Sequence, residues 1–568
     1  MEDKIKWNVA QRVSQKTIED HREISWVLLQ LLKNRAVFRS SSSVKKQKKD
    51  IEIFLNPKYS NLYDPFLLKG IKEAVKRIKK AVSSKEKVVI FGDYDADGVT
   101  ASVLLYETLK FLGNEPDVYI PHRDKEGYGL NKKAIDILHS KKTNLIITVD
   151  CGIINHTEVD YANKLGIDVI ITDHHEPQKK IPKALAVVNP KIKNSGYPFR
   201  MLAGVGVSFK LAQALAEKSK GKNAENFLKW LLDFVAIGSI GDIVPLIDEN
   251  RILVKFGKIV FSKTKRAGLI ELKKKAANGN SKAIDYFIAP RLNAAGRMDH
   301  ANWAFKLLAT QSRIEAFKMS RKIEDLNNKR RNLTDKIIAQ SVLEIEPILP
   351  EEKIIILAHK DWSASVSGIV ASRLVDEYNL PVLVIEKRRD ISKGSARSPK
   401  DFDVIKLLRK GKKYFEKLGG HKNAAGFTYK TKNHESLVSF LLDEAKKSII
   451  EKRKKEIFID AELKLSDINE KFIKELEELN PFGEGNPEPI FILRNIEILA
   501  KKRVGGNSHL KLWIAQNGKK YEAIAFRKGH LEQDLIAGTK IDVLTRLGEN
   551  NYRGIKSIQI EIIDIRIK

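Results

Sequence analysis

The sequence predicts an α/β protein of several domains: a parallel-sheet lobe, a long connecting helix, a second α/β lobe and a small C-terminal β-barrel. Three observations predict it. From Lys87 to about Ile240, apolar strand runs alternate with amphipathic helical runs, the pattern of βαβ units. Arg313 to Ile345 is charged and free of Pro and Gly, so it reads as one rigid helix. The last stretch, about 110 residues, holds short strand runs broken by Gly and Asn turns.

The chain has 568 residues, which at roughly 100–200 per domain gives about three to five domains. Hydrophobic residues make up 42% and charged ones 31%, enough to bury real cores and to exclude disorder as the main state. No apolar run approaches the ~20 residues of a membrane helix, and the polar start Met1–Asn8 lacks a signal-peptide core. The single cysteine, Cys151, excludes an intramolecular disulfide or a cysteine zinc cage. A cytoplasmic location is the simplest expectation. Lys and Arg number 103 against 72 Asp and Glu, a net charge of +31. That favours a polyanionic partner, nucleic acid first, although a Lys/Ile-rich composition contributes to the same excess.

In order, residues 1–75 read as a basic helical segment that packs on the catalytic lobe, broken by a solvated loop from Ser40 to Lys49. Strands are expected at Val88–Phe91, Leu145–Val149, Val169–Thr172 and Ala186–Val188. Helices are expected at about Val99–Leu112, Lys132–Ser140, Thr157–Leu165 and Phe227–Ile240. The second lobe reads as strand Ile354–Ala358, helix Ile369–Tyr378 and strand Pro381–Ile385. The barrel strands are read at Ile490–Leu493, Leu510–Ile514, Ala523–Phe526 and Ile558–Ile563, with a basic-edged hairpin at Gly505–Lys511. The expected domains are 1–75, 76–312, the connecting helix 313–345, 346–450 and 451–568.

Acids gather where the strands end. Asp93, Asp95 and Asp97 follow the first strand, Asp150 the second, and Asp173-His174-His175 the third. Asp242 follows an apolar helix. Taken singly, each reads most simply as a helix cap or a turn residue. Taken together they converge on the carboxyl edge of one sheet, where open α/β sheets bind ligands. Carboxylates crowded there repel one another unless a cation lies among them. Oxygen donors mixed with imidazole suit Mn2+, and oxygen-rich sites suit Mg2+. A pair of such ions is the clamp used for phosphoester cleavage.

These motifs resemble the DHH phosphoesterase superfamily and, within it, the RecJ family of bacterial single-strand-specific exonucleases. The resemblance rests on Gly92–Gly98, Glu126–Gly129, Val149–Gly152, Asp173-His174-His175, Gly241–Leu246, Ala289–Met298, Gly394–Ser398, Leu418–His421 and Asn480–Pro489. It implies a DHH catalytic lobe, a DHHA1 second lobe and an OB-fold tail. It implies a 5′→3′ exonuclease on single-stranded DNA, a monomer acting in recombination and repair, with a helicase and single-strand-binding protein as partners. Carried over, the metal ligands are Asp95, Asp97, Asp150, His174 and Asp242, with Asp150 as the bridge between two Mn2+ or Mg2+ ions. Asp93 is a further ligand or stands behind one. Asp173 orients the His174 imidazole, and His175 faces the scissile phosphate.

Arg291 and Arg297, in a Gly/Ala/Asn-rich stretch read as a loop, are assigned to transition-state charge; an inter-lobe ion pair is the plainer reading. Arg123, Ser395 and Arg397 are assigned to the 5′-phosphate, with Gly394–Ser398 read as a phosphate cradle or an ordinary turn. His421 is placed near the substrate backbone or in a packed turn. A narrow cleft between the lobes would exclude a duplex. Trp513, Phe526 and Tyr552 are available for base stacking, but core packing is the commoner fate of barrel aromatics. One departure stands out: Ser363 and Ser365 occupy positions where relatives carry His and Gly. The alternatives are a DHH oligoribonuclease or nucleotide phosphodiesterase, whose members lack the Asn480–Pro489 motif, and a non-catalytic DNA-binding scaffold.

Overall fold

The computed structural model describes residues 5–216, 222–276, 283–347, 353–447, 455–552 and 555–567. The expected boundary at 450/451 and the Tyr552 side chain lie outside the described residues.

The first sheet is all parallel, in the order Asp117–Tyr119, Val88–Gly92, Leu145–Val149, Asp168–Thr172, Ala186–Val188. The central strands Val88–Gly92 and Leu145–Val149 are buried throughout, as strands covered on both faces must be. The chain leaves Val88–Gly92 for the edge strand and returns on the other side, so the order reverses between Val88–Gly92 and Leu145–Val149. That reversal opens a crevice at their carboxyl ends. The edge strand Asp117–Tyr119 has only three residues and went unread in the sequence. The helical run expected at Phe227–Ile240 is two helices, Lys222–Trp230 and Leu232–Gly241.

Helix Arg313–Ile345 joins this lobe to a mixed sheet with the order Phe415–His421, Ala424–Lys430, Ile391–Arg397, Val382–Glu386, Ile355–His359. Gly394–Arg397 is therefore strand, not a turn. Alternation explains how such a strand serves a site. Ser392, Gly394 and Ala396 face the core, while Lys393, Ser395 and Arg397 form the half-exposed face.

The tail is a closed five-strand barrel. Phe491–Val504, His509–Gln516, Lys519–Ala525, Ile555–Ile567 and Lys540–Tyr552 follow around it, and Phe491–Val504 pairs back with Lys540–Tyr552. The Gly505–Lys511 hairpin is present, with Gly505, Gly506 and Asn507 in the left-handed region. Trp513 is half-buried, with its Nε1 donating to Glu522 and Lys511 over its ring, and Phe526 is 44% exposed. Neither is a core residue.

The N-terminal segment differs from expectation in three ways. It begins with strand Ile5–Val9, paired in parallel with Lys455–Ile459. Its serines 40–43 form the expected loop, but the lysine run after them is helix rather than loop: Ser43 caps helix Val44–Leu55 by accepting from the Lys46 amide. Its helix Trp26–Asn34 buries Val27, Leu28, Leu29, Leu31 and Leu32 in one core with barrel residues such as Phe491, Leu512 and Val543. A helix apolar on that many sides needs a second apolar surface, and the barrel supplies it from more than 400 positions away.

Candidate active site

The crevice at the strand reversal receives the acids. Asp95 begins helix Ala96–Phe111, its Oδ1 accepting from the Asp97 and Gly98 amides at 3.0 Å each. Asp97 is 1% exposed, and its two oxygens accept from the Gly204 and Val205 amides at 2.6 and 2.8 Å. Asp150, 2% exposed, ends the next strand in a left-handed conformation, φ 60°. Asp242 follows helix Leu232–Gly241. The segment after it is braced by the tail, where the Leu246 amide donates to Glu484 O at 2.7 Å.

Three trios of donor atoms each lie within 4.8 Å of one another: Asp150, His174 and His175; Asp97, His174 and Asp242; Asp93, Asp95 and Asp150. His174 Nε2 stands 3.1 Å from Asp150 Oδ1, 3.5 Å from Asp242 Oδ2 and 3.9 Å from Asp97 Oδ2. The structure thus brings together Asp93, Asp95, Asp97, Asp150, His174 and Asp242.

The electrostatics are those of a site short of positive charge. Burial pushes the Asp93, Asp150 and Asp242 carboxyls well above the usual carboxylate range, and neighbouring carboxylates add to the push. Burial and the Asp95 charge raise Asp97 to about 7. Burial and the nearby His175 depress His174 to about 3, so its ring is neutral. That ring also hydrogen-bonds the Leu202 backbone, which leaves Nε2 with a bare lone pair. Nε2, Asp150 Oδ1 and Asp93 Oδ1 are all buried without a hydrogen-bond partner. Two acceptors facing each other at 3.1 Å are repulsive unless a cation lies between them. Carboxylates with one imidazole are a donor set for Mn2+ or Mg2+, so the residues present fit a pair of divalent ions.

Asp173 does not take the role expected of it. Its Oδ1 accepts from His175 Nδ1 at 2.8 Å and from the His174 and His175 amides, and its Oδ2 from the Ile153 amide. It therefore orients the ring of His175, while the His174 ring leans on Leu202. Burial alone would lower the pKa of His175, but the Asp173 hydrogen bond and charge outweigh it and the net is up to about 9. Tyr128 Oη lies 3.0 Å from the same Nδ1 and donates to Asp150 O. Sequence reasoning saw the Glu126–Gly129 run without assigning Tyr128 a contact.

Arg291 and Arg297 sit in helix Ala289–Met298, not a loop. Arg291 is taken up structurally: Nε and Nη2 fork onto Glu324 of the connecting helix at 2.8 and 2.9 Å, and the guanidinium lies 3.3 Å over the Phe287 ring. The plainer ion-pair reading holds for it. Arg297 instead reaches the second lobe, its Nη1 donating to Ser365 O at 3.0 Å. Burial and the Arg123 charge depress both Arg297, to about 9, and Arg397. Arg123 lies 5.0 Å over the Tyr94 ring. The Arg123 charge thus bears on an arginine of each lobe.

Ser395 shares the strand face of Arg397. His421 ends strand Phe415–His421 and is exposed. It pairs with Ala424, which pairs with Arg397, so it lies two strands, roughly 10 Å, from that arginine. Ser363 caps helix Ala364–Tyr378 and its hydroxyl lies 2.7 Å from that of Ser365.

A testable consequence concerns Gly204. A Cβ there would lie 2.6 Å from Asp150 Oδ1. Gly204→Ala is expected to displace that carboxylate and weaken Mn2+ binding roughly 10- to 100-fold, measured by titration calorimetry.

Comparison with known proteins adds three family-model matches: the DHH family N-terminal domain over residues 87–239, the DHHA1 domain over 351–449 and the RecJ OB domain over 459–564. The single-stranded-DNA-specific exonuclease RecJ of Bacillus subtilis is 36% identical, covering 99% of this chain and 71% of its own. The crystal structure of Thermus thermophilus RecJ in complex with Mn2+ superposes with a TM-score of 0.83 at 27% identity, covering 100% of this chain and 80% of that one. The Mg2+ complex of the same protein gives 0.78 at 26% identity, covering 100% and 79%.

Proposed function

Because the chain belongs to the RecJ family of DHH phosphoesterases, we propose that it is a metal-dependent exonuclease hydrolysing single-stranded DNA from the 5′ end to 5′-mononucleotides. The observation that carries the reading is that Asp93 Oδ1, Asp150 Oδ1 and His174 Nε2 are all buried without a hydrogen-bond partner, the last two 3.1 Å apart. When bound, two Mn2+ or Mg2+ ions supply Lewis acidity toward water and the phosphoryl oxygens.

Asp95, Asp97, Asp150, His174 and Asp242 would hold them, with Asp93 beside. Asp150 and His174 each belong to two of the three trios, and of the two the carboxylate, with two oxygens, is the one that would serve both ions. The Gly204 and Val205 amides fix Asp97 in place, and the Leu202 backbone fixes the His174 ring. His175 is 44% exposed in its side chain, and the Asp173 hydrogen bond and charge favour its protonated form. With Nδ1 on Asp173, it presents Nε2–H to a phosphate oxygen and stabilises charge there as the bond breaks. Arg123, Arg297, Arg397 and Ser395 receive the 5′-phosphate, which places the end of the strand one step from the acids. The cleft between the lobes, walled by helix Arg313–Ile345, admits one strand and excludes a duplex. The barrel, with Phe526 exposed, holds the trailing strand.

No helix among the described residues is long and apolar enough to cross a membrane. Under this reading the enzyme acts as a cytoplasmic monomer in recombination and repair, with a helicase and single-strand-binding protein as partners. The test is digestion of 5′- and 3′-labelled single and double strands with Mn2+ or Mg2+. Immediate release of 5′-labelled mononucleotide from single strands is expected. Release that starts at the 3′ end overturns the polarity. Preference for a dinucleotide over a long strand favours an oligoribonuclease instead.

A further inference from the structure

Helix Ala364–Tyr378 lies across the sheet face that carries Ser395 and Arg397. Its first turn offers the Ser365 carbonyl to Arg297. Three residues on, about one turn along the helix, Gly368 faces Arg397. A Cβ at Gly368 would lie 2.8 Å from Arg397 Nη2 and 3.6 Å from Ser395 Oγ. Real Cβ atoms do not approach another heavy atom so closely, so any side chain there moves the guanidinium. Within its own strand Arg397 is anchored by Nη1 donating to Ala396 O at 2.8 Å. The flat guanidinium therefore rests against the bare backbone of a helical glycine. The same short helical stretch seats one arginine from each lobe.

We propose that Gly368 is a positioning residue for recognition of the strand's 5′-phosphate: its missing side chain is the slot that holds Arg397 in register with Arg297 and Arg123. The inference rests on the 5′-phosphate reading above and deepens it by naming what sets the geometry of that pocket. It also explains why a helix interior tolerates a glycine, a poor helix former, at this position. The slot is a steric device. It acts on the far end of a flexible side chain, so filling it redirects the arginine without unpacking the helix.

The test compares kcat/KM for 5′-phosphorylated and 5′-hydroxyl single strands of the same sequence, in the full chain with Mn2+. Gly368→Ala favours the helix, so it folds. Its phosphate-over-hydroxyl ratio is expected to fall about tenfold, as sub-ångström to ångström misplacement of a binding group does. In an Arg397→Gln background, Gly368→Ala is expected to change the ratio no further, because the group it moves is gone. The Mn2+-induced rise in melting temperature is expected to match that of the unsubstituted protein. A ratio unchanged in Gly368→Ala overturns the proposal. So does an effect that adds fully to that of Arg397→Gln, which would place the action of Gly368 elsewhere. If Arg397→Gln itself leaves the ratio unchanged, the 5′-phosphate pocket is overturned, and the role of Gly368 falls with it.

Discussion

Asp150→Asn is expected to lower turnover by roughly 10^3-fold, a loss of ~4 kcal/mol of transition-state stabilisation, while raising the melting temperature of the metal-free protein. The two effects have one origin. Asp150 is 2% exposed, its Oδ1 has no hydrogen-bond partner, and four other carboxylates press its pKa upward. Without a cation, that carboxylate is a buried and repelled charge, and removing it relieves the protein by about 1–2 kcal/mol. With metal the balance reverses. Binding to the native state at a hundredfold excess over Kd stabilises by about 2.7 kcal/mol, and the variant forfeits this. Asparagine is the right probe because residue 150 sits at φ 60°. Asn tolerates the left-handed region, whereas Ala would add backbone strain of its own. Differential scanning fluorimetry with and without Mn2+, beside an exonuclease assay, reads all three quantities. A variant that is both inactive and less stable without metal would refute the picture of a charge-starved cluster. Full activity would remove Asp150 from the mechanism.

How far the sequence carries depends on whether a rule is local. The acids were legible because parallel βαβ units send every strand end to the same edge. Asp93, Asp150 and Asp173 could therefore be placed together from apolar runs alone. The connecting helix was legible from end to end because nothing in Arg313–Ile345 breaks a helix. Arg291 was misread because its Gly/Ala/Asn neighbours suggested a loop. Pro290 among the first residues of helix Ala289–Met298 was the signal for a helix start. Its partner Glu324 lies 33 positions away, beyond any local rule. Strands Ile391–Arg397 and Phe415–His421 were missed because Gly394, Gly419 and Gly420 dilute their β character. For Asp173 the motif named the right residues, but only coordinates show that its carboxylate meets the ring of His175. The N-terminal segment failed for a tertiary reason. Its apolar helix pairs with a barrel at the other end of the chain, and no window of sequence contains both.

Arg251→Leu is expected to cost about 3–5 kcal/mol, the range for stripping one partner from a buried charged network, and to free the N-terminal segment and barrel from the catalytic lobe. Arg251 is 1% exposed and has no carboxylate partner in its hydrogen bonds. Its fork is spent on carbonyls: Nε on Phe54 O at 2.8 Å, Nη1 on Leu479 O at 2.8 Å and Nη2 on Glu478 O at 3.1 Å. Those carbonyls are the unsatisfied ends of two helices, Val44–Leu55 and Glu470–Glu478. Lys255, one turn along the same helix Asp248–Ser262, donates to Leu55 O at 2.9 Å. Two cations on one helix thus cap two helix C-termini, each a pole of partial negative charge. The leucine replacement keeps much of the volume but strips the side-chain donor from the Phe54 and Glu478 carbonyls, Leu479 O keeping Asn486 Nδ2 at 2.7 Å, which is why the cost exceeds that of a packing change. Burial and the Arg35 charge already hold Arg251 down to about 9, so the guanidinium stays only because those dipoles compensate it. The consequence reaches the active site, because helix Asp248–Ser262 continues the segment that carries Asp242. Denaturant unfolding followed by tryptophan fluorescence, with limited proteolysis, would show an early transition releasing the barrel. Lys48→Ala, which removes an exposed pair with Glu23, should stay within about 0.5 kcal/mol of the parent. If Arg251→Leu behaves like Lys48→Ala, the three carbonyl contacts are not what joins the two halves.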